Sequence, residues 1–336
     1  MTIPSLRALR RLLPNARITL ATRSLARGVF ADANFIDELM VHDRESGVLA
    51  QATDWRARNF DLAILFPNSF AVALISRMAG IPMRIGYRTE RRGFLLSHPL
   101  ALPAWRSERH ESFYYLNIIS ELERALLSKS AIMEEPPAAD LVIGEERRAD
   151  ALAFLRAQGV RPARPLIALC PGSINSRAKR WSAESYAALA DRLKGELNAE
   201  VILIGSAGEL PVSLEVCERM KQPALILTGK TDLTLAVAIL EQVDLLVTND
   251  TGPAHIAAAL GRPTLVIFGP TNPLTTRPLS DVAEILRIPP DCAPCMLRDC
   301  PIDHRCMTAI TPNMVFERAV KMLGIAPRSD KLKFVV

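Results

Sequence analysis

Helix-period and strand-like segments alternate along nearly the whole chain, and this alternation limits the fold more than any other feature. Ile3, Leu6, Leu9, Leu12 and Leu13 share one helical face, and Arg17–Thr22 then reads as a strand. Further strands are expected at Leu39–His42, Asp61–Phe66 and Met83–Tyr87, with helical patterns between them. Such alternation predicts parallel sheets covered by helices, an α/β fold. The series breaks at Lys129–Asp140, where Glu134-Glu135-Pro136-Pro137 cannot continue a helix and reads as a linker. After a helix at Glu145–Gln158 a second series begins. Its strands are expected at Leu166–Cys170, Glu200–Gly205, Ala224–Leu227, Leu245–Thr248 and Thr264–Phe268. Its helices are expected at Ala183–Leu197, Glu209–Met220, Leu233–Glu241 and Pro253–Leu260. The 336 residues are enough for two such doubly wound halves, with a ligand cleft expected between them.

Composition narrows the function. Apolar residues at 49% and charged residues at 23% exclude a mainly disordered chain. The most apolar long stretch, Leu233–Val247, is interrupted by Glu241 and Asp244, so no membrane-spanning helix is expected. Aromatics at 5% and a net charge of only +5 argue against a nucleic-acid partner. The basic excess is concentrated. Residues 1–30 hold six Arg and no acid, and residues 77–109 hold seven Arg against Glu90 and Glu108. This suits an anionic partner for the first half, and equally a solvated basic face. The N-terminus has no apolar signal region, so a cytoplasmic, reducing location and unpaired cysteines are expected.

Five loops could carry chemistry. Pro171-Gly172-Ser173 follows a strand, where backbone N–H groups can approach an anion, and Lys179 and Arg180 come soon after. The spacing is not that of a Walker loop. Asn249-Asp250-Thr251-Gly252-Pro253-Ala254-His255 joins a strand to a helix whose Pro stands in the first turn. That helix start offers unpaired N–H groups to an anion. Gly205-Ser206-Ala207-Gly208-Glu209 ends another strand, where Glu209 could accept from ribose hydroxyls. Cys292, Cys295, Cys300 and Cys306, with Asp303 and His304 nearby, could hold a structural zinc, though only the first spacing is typical. Arg88, Arg91 and Arg92, with Asn68 and Ser69 upstream, could grip phosphates or carboxylates. Taken singly, each has a plain alternative: helix capping, a reduced cysteine loop, or solvated charge.

Together these segments resemble glycosyltransferase family 9, the ADP-heptose–lipopolysaccharide heptosyltransferases. The resemblance rests on LFPNSFAVALISRMAGIPMRIGYRTERRGFLL, CPGSINSRAKRW, VTNDTGPAHIAAALGRPTLVIFGPTNP and CAPCMLRDCPIDHRCM, in that order. It implies a GT-B fold, two Rossmann-like domains facing across a cleft. Residues 1–140 would bind the acceptor. Residues 141–336 would bind the nucleotide-sugar donor, with the last helix free to pack back on the first domain. The implied reaction is inverting transfer of heptose from ADP-L-glycero-D-manno-heptose to the inner core of lipopolysaccharide, without a cofactor. The lipid-borne acceptor would allow peripheral contact with the cytoplasmic face of the inner membrane. By the same resemblance Gly172, Ser173, Lys179 and Arg180 would face the donor diphosphate, with Lys179 stabilising the leaving ADP. Glu209 would hold the ribose. Asp250, Thr251, Gly252 and His255 would receive the heptose and diphosphate. Asn68, Ser69, Arg88, Arg91 and Arg92 would meet the acceptor.

One departure stands out. Family members open with a strand and a Gly-Asp or Gly-Glu loop whose acid is the expected general base. Here the chain begins at the helix that follows, and no acid precedes Asp32. The expectation is that Met1 is an internal methionine of a longer active protein. The alternatives are a nucleotide-sugar-binding protein inactive through loss of that acid, or a different GT-B transferase or epimerase. A dinucleotide oxidoreductase is disfavoured, because no G-x-G-x-x-G follows a strand.

Overall fold

The computed structural model describes residues 1–42 and 45–325. The chain divides into two units, Met1–Ala139 and Asp140–Val336. The first runs α1 (Ile3–Leu12), β1 (Thr19–Thr22), α2 (Arg27–Phe30), β2 (Glu38–Val41), α3 (Val48–Ala57), β3 (Leu62–Ile64), α4 (Phe70–Met78), β4 (Met83–Tyr87), β5 (His98–Leu100) and α5 (Glu111–Leu127). All its strand pairs are parallel. They form two separate pieces, β1-β2 and β3-β4-β5, rather than the single sheet expected of a doubly wound half. The pieces share their packing. Ala8 and Leu9 of α1, Ile18, Ile85, Tyr87, and Ile118 and Ile119 of α5 make one buried cluster. Met40, Trp55, Ala63, Leu65, Ile75 and Ile81 make another with α3 and α4.

The second unit runs α6 (Glu145–Ala157), β6 (Leu166–Cys170), α7 (Ala183–Leu197), β7 (Glu200–Leu203), α8 (Leu210–Arg219), β8 (Leu225–Ile226), α9 (Leu233–Gln242), β9 (Leu245–Asn249), α10 (Gly252–Ala259), β10 (Thr264–Ile267), α11 (Pro273–Thr276), β11 (Ala283–Leu286), α12 (Arg305–Thr308) and α13 (Pro312–Leu323). Its six strands lie in the order β11-β10-β9-β6-β7-β8, all parallel. From β6 the chain steps outward to β7 and β8, then returns to the other side at β9. This is the doubly wound order, and its switch point lies between β6 and β9. The central strands are apolar on both faces because helices cover both, so β6 and β9 are buried throughout. Trp181, Tyr186, Leu189, Leu193, Val247, Leu265 and Phe316 anchor the main core. α13 packs on α7, β9 and β10 within this unit. Ser182 caps α7 by accepting from the Ser185 N–H, and Asn198 ends it in the left-handed conformation.

Candidate functional site

At the switch point the loops after β6, β9 and β10 meet. β6 ends at Cys170, and Pro171-Gly172-Ser173 follows with Ser173 buried. A three-residue 3₁₀ turn, Arg177–Lys179, then aims Lys179 back at the end of β9. Lys179 Nζ lies 2.8 Å from Asp250 Oδ2 and 3.3 Å from the Asp250 carbonyl oxygen. Asp250 is 5% exposed, and its Oδ2 also accepts from the Thr271 hydroxyl at 2.8 Å. A buried carboxylate is costly without a counter-charge, so the ammonium and the hydroxyl fix its place. Thr251 precedes α10 without capping it through its side chain, and Gly252 and Pro253 open the helix. The first-turn N–H groups are thus not consumed by a side-chain cap, and the helix dipole favours an anion there. His255 is half-buried in the first turn of α10.

Glu209 lies on the same side. Its Oε2 accepts from the Ser206 N–H at 2.8 Å and the Ser206 hydroxyl at 2.9 Å, and the Ser206 side chain accepts from the Glu209 N–H in return, a capping box. The carboxylate also presses on Gly172, where an added Cβ would come within 2.2 Å of Glu209 Oε1. Gly172 is therefore required for close approach and not for a special backbone angle.

Two arginines are redirected. Arg180, expected on the diphosphate, donates from Nε and Nη2 to the Ser173 carbonyl at 3.1 and 2.8 Å. These two bonds brace the turn at Ser173. Arg92, expected on the acceptor, is completely buried. It donates to the carbonyls of Tyr87, at 2.9 Å, of Ser69, at 3.1 Å, and of Pro67, and to Asn68 Oδ1 at 3.3 Å. Burial lowers its guanidinium pKa. It ties the loop after β3 to the end of β4 and cannot itself touch an acceptor. Asn68 is further engaged through Nδ2 with the Tyr114 hydroxyl at 2.7 Å, and Ser69 caps α4. Arg88 and Arg91 remain exposed, and Arg91 follows Glu90 in a left-handed backbone turn. Of the expected acceptor arginines, these two keep guanidinium groups available to an anion.

The cysteine loop does not match the zinc expectation. Cys292, Cys295, Cys300 and Cys306 all line one cavity, and all are free thiols. Burial, then the neighbouring thiols, push the Cys306 thiol pKa up. Yet among the described residues no group of three Cys, His, Asp or Glu side chains is arranged to hold a metal ion. The loop is instead ordered by hydrogen bonds to the turn that carries Lys179. Ala178 N donates to Arg298 O at 2.9 Å, and His304 Nε2 lies 2.6 Å from Ala178 O. The Ser176 hydroxyl lies 3.2 Å from Arg298 O, and Arg177 Nε lies 2.6 Å from Asp299 Oδ1.

Motif reading names Asn249, Thr271 and His304 within their loops but not the contacts they make. Their partners are distant in the chain, and only the tertiary fold brings them together.

Comparison with known proteins shows the family and the fold. The model of glycosyltransferase family 9 (heptosyltransferase) matches residues 48–305. Lipopolysaccharide heptosyltransferase 2 of Escherichia coli K12 is 34% identical over 244 residues, covering 69% of this chain and 66% of that protein. Lipooligosaccharide heptosyltransferase 2 of Haemophilus influenzae is 34% identical over 242 residues, covering 68% and 66%. The matched region thus spans just under two thirds of these relatives' length. The structure of E. coli ADP-heptose lipopolysaccharide heptosyltransferase II matches with a TM-score of 0.81 at 27% identity, over 96% of this chain and 94% of that one. A family 9 glycosyltransferase from Veillonella parvula shares the fold, with a TM-score of 0.81 at 23% identity, over 96% and 92%. The α/β units are those of a GT-B protein.

Proposed function

The chain belongs to glycosyltransferase family 9, the heptosyltransferases, and from that premise we propose that it moves a heptosyl group from ADP-L-glycero-D-manno-heptose to the inner core of lipopolysaccharide. The observation that carries this reading is the Lys179–Asp250 pair beside the opening of α10 and the Gly172–Ser173 turn. A cation, a helix start and a close-approach glycine at one switch point suit the diphosphate of a nucleotide sugar.

In this proposal the donor diphosphate takes the place of the Asp250 carboxylate as the partner of Lys179. The bond from the anomeric carbon to the diphosphate oxygen breaks, and Lys179 offsets the charge gathering on the departing ADP. The acceptor hydroxyl oxygen forms the new bond from the opposite face and inverts the centre, and its proton is released to the solvent. Asp250, released from Lys179, accepts from a heptose hydroxyl. Glu209, already fixed against Gly172, takes the ribose side. The chemistry needs no cofactor.

Residues of the first unit would receive the acceptor. Exposed Arg88 and Arg91 suit its phosphates and carboxylates, with Arg92 and Asn68 holding their loop in shape. Because this acceptor is lipid-borne, peripheral contact with the inner membrane at its cytoplasmic face belongs to the proposal. No helix among the described residues is long and apolar enough to cross a membrane. The test is to incubate the protein with ADP-heptose and an inner core lacking that heptose. The expected product is heavier by one heptosyl residue. Binding without transfer would leave a nucleotide-sugar-binding protein, and preference for UDP-sugars would contradict the proposed donor.

A further inference from the structure

Asn249, the last residue of β9, is fully buried with every hydrogen-bonding position of its side chain occupied. Its Oδ1 accepts from the Trp181 N–H at 3.0 Å and from the Tyr186 hydroxyl at 3.1 Å. Its Nδ2 donates to the carbonyls of Pro171 at 2.9 Å and Gly172 at 3.2 Å. These partners belong to different segments of the site. Pro171 and Gly172 form the turn after β6, Trp181 follows Lys179 and Arg180 directly, and Asp250 is the next residue in the chain.

We infer that Asn249 is a positioning residue for the donor, one side chain that sets the anion turn, the Lys179 segment and Asp250 in register. This rests on the donor reading given above and adds the residue that assembles it.

Chemistry favours a carboxamide here. Two carbonyls face one end and two donors face the other, so the group must donate at one end and accept at the other. A carboxylate of the same shape would set an acceptor against the Pro171 and Gly172 carbonyls. A shorter side chain would leave those carbonyls and the Trp181 N–H without partners in a buried site. Pulling the carbonyls toward β9 also fixes the peptide groups of this turn, and with them the Ser173 N–H. The Arg180 bonds to Ser173 O form a second, separate tie on the same turn.

The test compares the parent with Asn249→Asp in the full chain, reading donor KM, kcat, ADP affinity and melting temperature. Loss of the two Nδ2 bonds is expected to raise donor KM and weaken ADP about tenfold or more, along with a lower kcat. A merely structural role would lower the melting temperature and the active fraction while leaving KM and ADP affinity within twofold of the parent. That result would overturn the inference. If Asn249→Asp does not fold, Asn249→Ser supplies the same comparison, because its short hydroxyl cannot span both loops. Tyr186→Phe removes one donor to Oδ1 but spares the loop carbonyls, and ADP affinity should stay near the parent's. A parent protein that binds neither ADP nor ADP-heptose would overturn the donor reading itself, and this role with it.

Discussion

Lys179 reaches across 71 positions of sequence to set its ammonium 2.8 Å from the buried carboxylate of Asp250. The pair holds a cation at the switch point of the sheet. Lys179→Ala is expected to lower heptosyl transfer by about 10²–10³-fold, the usual loss when one stabiliser of developing charge is removed. Circular dichroism should show the fold kept, with a lower melting temperature because the buried Asp250 carboxylate loses its counter-charge. Unchanged turnover in this variant would remove the ammonium from the mechanism.

Thr271 donates its hydroxyl to the same Asp250 oxygen. Thr271→Val keeps the shape and removes the donor, leaving the buried carboxylate with less support. The expected cost is about 1–3 kcal/mol of stability, together with weaker ADP binding. Thermal melting and calorimetry on the same preparation measure both.

Gly172 touches Glu209 closely enough that a methyl group would collide with Oε1. Gly172→Ala should therefore displace either the anion turn or the capping box, costing about 1–3 kcal/mol and most of the donor affinity. In Gly172→Ala/Glu209→Ala the collision is gone, so the two losses should combine to less than their sum. Simple additivity would mean that the residues act independently.

The turn bearing Lys179 is clamped by the cysteine-rich loop through His304 and Ala178. His304→Ala is expected to raise donor KM severalfold without adding or removing a bound metal ion. A donor KM equal to the parent's would show that the turn holds its place without this bond.

Cys170 ends β6 fully buried, and desolvation pushes its thiol pKa up to about 12. Burial raises the hydroxyls of Tyr186 and Tyr87 in the same direction. In each case the fold favours the neutral form. The stabilising contribution is complete below the ordinary pKa of the unfolded group and is lost as pH rises from there toward the folded value. For the thiol that window runs from about 9 to about 12. Melting temperature should fall through this window, and less steeply in Cys170→Ala. The native protein at neutral pH should resist alkylation at Cys170 while exposed Cys292 reacts.

The sequence made the second unit readable because its strands are continuous apolar runs closed by Gly, Asp or Pro. β4, β6 and α7 fall where the periodicity places them. β5 and β11 escaped it. His98-Pro99-Leu100 is a short edge strand carrying proline, and Glu284 interrupts the apolar pattern of β11. Nor could local pattern show that the first unit's strands pair as two pieces. At the site, sequence located the loops but not the partners. Arg180 and Arg92 read as free charges, and the fold spends both on carbonyl groups. Asn249 and Thr271 lie in stretches the sequence marks out, but their contacts appear only when segments far apart in the chain are brought together.

The most direct test of the donor assignment is equilibrium binding of ADP-heptose to the parent protein and to Lys179→Ala, with a UDP-sugar as comparison. The account predicts saturable binding of ADP-heptose by the parent, marked weakening in the variant, and weaker binding of the UDP-sugar. Equal binding by parent and variant, or preference for the UDP-sugar, would contradict it.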